Sequence, residues 1–146
     1  MKLLFDASAL INLIRLAGPD ALNYLKDSYV LTLTPYEVGN ALWREAALLR
    51  RITLEEALST LASIAAVYKF LRITTPRDTL LVLRLAHELR VTYYDSSYIA
   101  ASHELGAELV TDDEKLRRRI REERGRLSRI LGSEVAALST RELVRE

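Results

Sequence analysis

Short apolar runs alternate with helical patterns along the whole chain, and this alternation constrains the fold more than any other feature. Runs rich in apolar, β-branched and aromatic residues predict strands, and these are Lys2–Phe5, Tyr29–Leu33, Tyr68–Thr74, Val91–Tyr94, Glu108–Val110 and Val135–Leu138. Most are separated by segments with helical spacing. Such an order predicts an α/β fold in which helices cover both faces of a parallel sheet. The 146 residues suit one domain, 1–146.

Two helix starts carry capping signals. Thr34 is followed by Pro35 and Glu37, which predicts a capping box at the start of a helix that runs to Arg50-Arg51. Thr53 and Glu56 predict a second capping box for a helix that ends near Val67.

Acidic residues recur where predicted strands end. Asp6, Asp95 and the pair Asp112-Asp113 each follow a predicted strand, and Glu37 lies in the first helical turn after another. Because the carboxyl ends of parallel strands meet at one edge of a sheet, where ligands bind, we expect these side chains to converge on one crevice.

Each acid also has a local interpretation, and for a single residue the local interpretation is favoured. Asp6, Asp95 or Asp112 could cap a helix, and Glu37 and Glu114 could complete capping boxes with Thr34 and Thr111. The set favours a metal site, because clustered carboxylates repel each other unless a cation compensates them.

Composition narrows the choice of metal and of chemistry. The chain has no cysteine and only two histidines, His87 and His103, which leaves carboxylates as ligands for a hard cation, Mg²⁺ or Mn²⁺. A carboxylate site without a Cys or His nucleophile suits metal-assisted hydrolysis of nucleic acid.

Polar and aromatic side chains near the acids are further candidates. Ser8, Asn40 and Thr111 could orient a carboxylate or a metal-bound water, although a local backbone cap is an equal alternative for each. Trp43 and the tyrosines fit core or interface positions better than base stacking. Among the tyrosines, Tyr93 and Tyr94 are of most interest because they directly precede Asp95.

The net charge of +1 hides a concentrated basic stretch. Residues 115–129 hold eight basic and two acidic side chains, a local charge of +6. Candidate RNA contacts in this stretch are Lys115, Arg117, Arg121 and Arg124. The alternative is a solvated helix face with salt bridges.

Four segments together resemble the motifs of the PIN-domain family, and within it the toxin ribonucleases of VapBC-type toxin–antitoxin pairs. In chain order these segments are Leu4–Ile11, Thr34–Leu42, Tyr94–Ala101 and Leu109–Asp113. The last segment carries a Thr-x-Asp signature, and the ordered set spans most of the chain.

The resemblance implies a three-layer α/β sandwich with a five-stranded parallel sheet and an acidic pocket for Mg²⁺ or Mn²⁺. It also implies an endoribonuclease that cleaves RNA, often forms homodimers and is inhibited by a small antitoxin protein. The core acids of the family pattern would be Asp6, Glu37, Asp95 and Asp113. Asp112 would fill a variable position as a possible further ligand.

Competing functions make different demands on the sequence. A catalytically inactive PIN-like module that binds RNA or protein would keep the fold without cleaving. A receiver-like phosphoacceptor domain needs paired acids after the first strand, where Asp6 stands alone. A phosphatase with an Asp-x-Asp motif would need an acid at Ser8. With neither a membrane-spanning apolar run nor a secretory signal, we expect a cytoplasmic protein.

Overall fold

A five-stranded sheet forms the centre of the protein. The computed structural model describes residues 1–145, and Glu146, the last residue of the predicted domain, lies outside them. All neighbouring strands are parallel, in the order β3-β2-β1-β4-β5. The strands are β1 Leu3–Phe5, β2 Tyr29–Leu31, β3 Arg72–Thr74, β4 Glu108–Val110 and β5 Ala137–Leu138.

Helices connect the strands. They are α1 Ala7–Ala17, α2 Leu22–Leu25, α3 Thr34–Trp43, α4 Leu54–Val67, α5 Thr79–Leu89, α6 Tyr93–Leu105, α7 Glu114–Glu122, α8 Arg124–Leu131 and α9 Thr140–Arg145. A π-helical segment, Arg44–Leu48, continues α3. No helix in residues 1–145 combines the length and the apolar character needed to cross a membrane.

The pleat of the strands builds two cores. Leu3, Phe5 and Val30 face one side of the sheet and pack with residues of α1, α3 and α4. Leu4 and Leu109 face the other side, where they pack with residues of α5, α6, α7 and α8. Since side chains alternate between the faces of a strand, even these three-residue strands bury apolar groups on both sides. The three-layer α/β sandwich expected from the sequence is confirmed.

The strand order creates a crevice at the carboxyl edge of the sheet. From β1 the chain first builds outward through β2 to β3, and later returns to add β4 on the other side of β1. Such a reversal leaves a gap between the connections that follow β1 and β4, which is where open α/β sheets bind ligands. Asp6 begins the connection after β1 and donates its backbone N–H to Val110 O at the end of β4, at 3.1 Å.

The strand predicted at Val91–Tyr94 is wrong. Arg90 ends α5 in a left-handed conformation with φ 55°, and Val91 N donates to Ala86 O at 3.2 Å. Thr92 then caps α6, which begins at Tyr93. The β-branched and aromatic residues that suggested a strand belong to a tight connection and a helix start, so the position of Asp95 is set by the first turn of a helix.

Other boundaries differ in smaller ways. Of the strand predicted at Tyr68–Thr74, residues 68–70 form a 3₁₀ turn and only residues 72–74 join the sheet. The basic stretch forms two helices, because α7 ends at Glu122. The capping box at Thr53 is confirmed: its hydroxyl accepts from Glu56 N at 3.1 Å, and Glu56 Oε1 accepts from Thr53 N at 3.3 Å.

Candidate active site at the carboxyl edge of the sheet

The four core acids from the sequence line one crevice of about 900 Å³. Different elements supply them: Asp6 follows β1, Glu37 lies in α3, Asp95 lies in α6 and Asp113 precedes α7. The remaining lining residues are Ala7, Ser8, Leu33, Tyr36, Asn40, Ala41, Arg44, Tyr94 and Tyr98.

Asp6 is the most constrained of the four carboxylates. The residue is 8% exposed, and it caps α1 by accepting from Ala9 N at 2.9 Å. Ser8 Oγ donates to its Oδ1 at 2.6 Å, and Thr111 Oγ1 donates to its Oδ2. Burial raises the pKa of Asp6 from 3.8 to about 6 although these hydrogen bonds oppose the rise, and Asp112 adds a smaller repulsion. Asp6 therefore both caps α1 and lines the crevice.

Ser8 and Thr111 are held in turn by the backbone of the loop after β4. Asp112 N donates to Ser8 Oγ at 3.0 Å, and Asp113 N donates to Thr111 Oγ1 at 3.1 Å. Each hydroxyl accepts a hydrogen bond from a backbone N–H and donates one to Asp6. These bonds fix both oxygens of the Asp6 carboxylate.

Glu37 is held by a tyrosine that the sequence analysis did not select. The Tyr98 hydroxyl, 1% exposed as a residue, donates to Glu37 Oε1 at 2.7 Å. Thr34 Oγ1 accepts from Leu31 N at 3.0 Å and lies 2.7 Å from the Tyr98 oxygen, so its proton is available to Tyr98. Burial raises the pKa of Tyr98, so it stays a donor. The capping box predicted at Thr34 is wrong, because the N-cap of α3 is Leu33. The side chain of Thr34 bonds to Leu31 N and Tyr98, and that of Glu37 bonds to Tyr98.

Burial is the main cause of the raised pKa of Glu37, and repulsion by Asp6 and then Asp95 raises it further, against the hydrogen bond from Tyr98. Burial also raises the pKa of Asp95, followed by repulsion from Asp113. The two effects together mark a negatively charged cluster that water screens poorly.

Asp95 and Asp113 both lie at helix starts. The Asp95 backbone N–H is capped by Thr92 Oγ1 at 3.0 Å. Asp113 is the N-cap of α7 and accepts from Leu116 N at 3.1 Å, which replaces the alternative cap at Thr111. One Asp113 oxygen is engaged in this bond, and the residue is exposed toward the crevice.

Asp112 does not line the crevice, in contrast to its predicted place among the metal ligands. Its Oδ1 accepts from Thr140 N at 2.8 Å, and its Oδ2 accepts from Thr140 Oγ1 at 2.6 Å and Asn12 Nδ2 at 2.8 Å. These bonds tie the loop after β4 to α1 and α9. Asp112 is therefore left out of the proposed ligand set.

Asn40 lines the crevice one helical turn beyond Glu37, with its side chain exposed. The predicted RNA-contact residues do not line it. Arg117 Nη1 donates to Thr111 O at 2.7 Å, and Arg124 pairs with Glu134 at 2.8 Å. Lys115 and Arg121 are exposed on α7. Since Arg124 belongs to α8, the four side chains do not share one helical face, and an RNA contact there stays a prediction.

The donor set of the crevice fits a divalent cation. Within residues 1–145 none of the four acids forms an ion pair with Lys, Arg or His. No three of the described Asp, Glu and His side chains stand close enough to hold one ion directly. Mg²⁺ keeps several waters and needs only one or two direct carboxylates, so acids spaced around a crevice suit it.

A parallel α/β sandwich with acids gathered at its switch point defines a protein that suits metal-assisted hydrolysis at that edge of the sheet. The family model for the PIN domain matches residues 3–122, which include all four acids. The chain therefore belongs to the PIN-domain family.

Two proteins of Pyrobaculum aerophilum that are named VapC are similar to this chain. The chain is 38% identical to a protein named exonuclease VapC9, over 80% of this chain and 84% of the relative. It is 32% identical to one named ribonuclease VapC3, over 80% of this chain and 92% of the relative. The crystal structure of PAE2754 from the same organism superposes with a TM-score of 0.75 at 27% identity, covering 99% of this chain and 94% of that one.

Proposed function

We propose that this protein is a divalent-metal-dependent endoribonuclease, the toxin of a type II toxin–antitoxin pair. The observation that carries the proposal is the crevice in which four acids meet without an ion pair among the described residues. The relatives named exonuclease and ribonuclease support hydrolysis of a nucleic acid. Asp6, Glu37, Asp95 and Asp113 would hold Mg²⁺ or Mn²⁺, one or two of them directly and the others through water bound to the ion.

The chain's own residues prepare the site for such an ion. Ser8 and Thr111 fix Asp6, and Tyr98 fixes Glu37, so two carboxylates need little reorganisation on binding. When bound, the ion neutralises charge on a phosphodiester and lowers the pKa of water, which the hydrolysis requires. Asp113 is exposed and Asp95 is half-buried, whereas Asp6 is buried, so Asp113 would be the most accessible of the four to an entering phosphate.

The proposal is tested by incubating the purified protein with linear and circular single-stranded RNA in Mn²⁺, in Mg²⁺ or in a chelator. A circle has no ends, so its cleavage identifies an endonuclease, whereas cleavage of the linear RNA alone identifies an exonuclease. We expect both RNAs to be cleaved with either metal and neither in the chelator.

Two variants locate the activity. Asp95→Asn removes a proposed ligand at nearly constant shape, and we expect it to lose cleavage. Asp78→Asn makes the same change at an exposed helix cap outside the crevice and should cleave like the wild type. RNA binding without cleavage under all conditions would support the alternative, an inactive binding module.

The antitoxin belongs to the same proposal. An apolar groove of about 390 Å³ lies between α3 with its π-helical continuation and α4, and its lining includes Leu42, Trp43, Leu54 and Leu58. Residues of α3 line both this groove and the acidic crevice. A partner whose helix packs in the groove would have to continue past α3 to bring a basic side chain to the acids. Trp43 is the only tryptophan and is 54% exposed, so its fluorescence should shift to shorter wavelength when the product of a neighbouring gene binds.

A homodimer and a cytoplasmic location complete the proposal. Leu80 and Leu83 of α5 are 80% and 60% exposed, which makes this helix a candidate interface between copies. Sedimentation of the wild type and of Leu83→Glu measures whether α5 joins two copies; an unchanged mass would exclude it.

A further inference from the structure

Two exposed tyrosines stand on the rim of the acidic crevice. Tyr36 is 82% exposed and Tyr94 is 61% exposed, and both line the crevice. Neither side chain contributes to the core, since both are largely in solvent. The core position that the sequence favoured for tyrosines therefore does not hold for these two, and their rings are free to contact a ligand in the crevice.

The two tyrosines occupy equivalent positions beside two of the acids. Tyr36 directly precedes Glu37 in the first turn of α3, and Tyr94 directly precedes Asp95 in the first turn of α6. Neighbouring residues of a helix point about 100° apart, so a helix that aims its carboxylate into the crevice places the preceding side chain to one side. Two elements thus each present a carboxylate with an aromatic ring beside it.

Charge decides which part of a nucleic acid these rings contact. Phosphates are repelled by the four acids wherever a cation does not compensate them. Bases are neutral and are not repelled by the acids. The side chains that line the crevice near the two tyrosines include the apolar residues Leu33 and Ala41. Arg44 also lines the crevice and forms no ion pair within residues 1–145, which leaves it available for one flanking phosphate.

We propose that Tyr36 and Tyr94 are stacking platforms for unpaired RNA bases on the two sides of the phosphate that is cleaved. The inference rests on the proposed function and names the form of its substrate, single-stranded RNA. Single-stranded RNA exposes the faces of its bases, and aromatic side chains bind those faces with little regard for sequence. A duplex hides the same faces in its own stack.

Binding of short RNA probes to the full-length protein tests this without requiring cleavage. The parent is Asp95→Asn, with enough Mg²⁺ in solution to screen the RNA phosphates whether or not the crevice binds it. The probes are a fluorescent single-stranded RNA of mixed sequence, a probe of equal length whose central nucleotides lack bases, and a duplex. Gels run after each titration verify that the probes are intact. We expect the parent to bind the single strand more tightly than the abasic probe or the duplex.

Substitutions then separate the ring from the hydroxyl. Tyr36→Ala and Tyr94→Ala should each weaken binding of the single-stranded probe by about 5- to 150-fold, and the affinity for the abasic probe should stay unchanged. Tyr36→Phe and Tyr94→Phe keep the ring and should bind within about twofold of the parent. Tyr93→Ala is the matched control, because Tyr93 is 43% exposed on the same helix but does not line the crevice.

Several results would overturn the inference. Alanine variants that bind the single-stranded probe like the parent would show that no base stacks on these rings. The same would follow if the alanine variants lost affinity for the abasic probe and for the single-stranded probe to the same extent. Alanine variants that change only sedimentation would make the tyrosines a contact between copies of the chain. If the wild type cleaves RNA while the alanine variants bind normally, only the stacking inference fails; if the protein neither binds nor cleaves any RNA, the proposed function fails with it.

Discussion

Replacing Asp6 with asparagine should stabilise the metal-free protein at neutral and alkaline pH. The buried Asp6 carboxyl has its pKa raised from 3.8 to about 6. A raised folded-state pKa means that the folded protein holds this proton more tightly than the unfolded chain does. The resulting cost to stability is absent below pH 3.8, grows as pH rises between about 4 and 6, and is complete above about pH 6.

The size of the effect follows from the shift. About two pKa units at 1.36 kcal/mol each give about 3 kcal/mol. The asparagine side chain would keep an oxygen for Ser8 Oγ and Ala9 N, but its amide nitrogen would face Thr111 Oγ1, which must reverse its hydrogen bond. With about 1 kcal/mol allowed for that rearrangement at either pH, we expect Asp6→Asn to gain about 2 kcal/mol at pH 8 and to lose up to about 1 kcal/mol at pH 4.

Guanidinium denaturation of both proteins in chelator, at pH 8 and at pH 4, measures this difference. Asp78→Asn is the control, because Asp78 also caps a helix, through Leu81 N at 3.0 Å, but is exposed; its substitution should give no gain at pH 8. Added Mn²⁺ should stabilise the wild type and narrow its gap to Asp6→Asn. A destabilised variant at pH 8, or an equal gain at both pH values, would refute the claim that burial of the Asp6 charge destabilises the fold.

Three further results are expected. Tyr98→Phe removes the hydrogen bond to Glu37 and should weaken Mn²⁺ binding by about 10- to 100-fold in calorimetry; unchanged affinity would remove Tyr98 from the site. Thr92→Ala removes the cap of α6 and should lower the free energy of unfolding by about 1 kcal/mol, which equal denaturation midpoints would contradict. Mn²⁺ affinity should fall as pH drops through about 6, because protons compete with the ion for Asp6, and the raised pKa of Asp95 acts in the same direction; equal affinities in calorimetry at pH 5 and at pH 8 would contradict this.

The sequence predicted the architecture because the central strands β1, β2 and β4 are apolar enough to be recognised between helical segments. It failed at residues 91–94, where Val91, Tyr93 and Tyr94 have strand propensity but Thr92 supplies a helix cap. The strand propensity of these residues was outweighed by the helix cap at Thr92 and by the left-handed conformation of Arg90, which ends α5. The correct placement of Asp95 at the sheet edge therefore rested on a wrong local reason.

Of the adjacent pair Asp112-Asp113, the sequence could not assign the crevice residue from spacing alone. The partner that turns Asp112 away, Thr140, lies 28 residues further along the chain. Tyr98 was missed for a similar reason, since its contact with Glu37 joins two helices 61 residues apart. Its position one helical turn after Asp95 was the one available signal, because residues three apart share a helix face.

Anomalous diffraction from crystals of the wild-type protein equilibrated with Mn²⁺ tests the central claim most directly. We expect a manganese peak inside the crevice, within direct or single-water reach of the carboxylates of Asp6, Glu37, Asp95 and Asp113, and no peak there in crystals of Asp95→Asn. A peak at another acidic site, or a crevice free of manganese at saturating concentration, would contradict the claim that these four acids form the metal site.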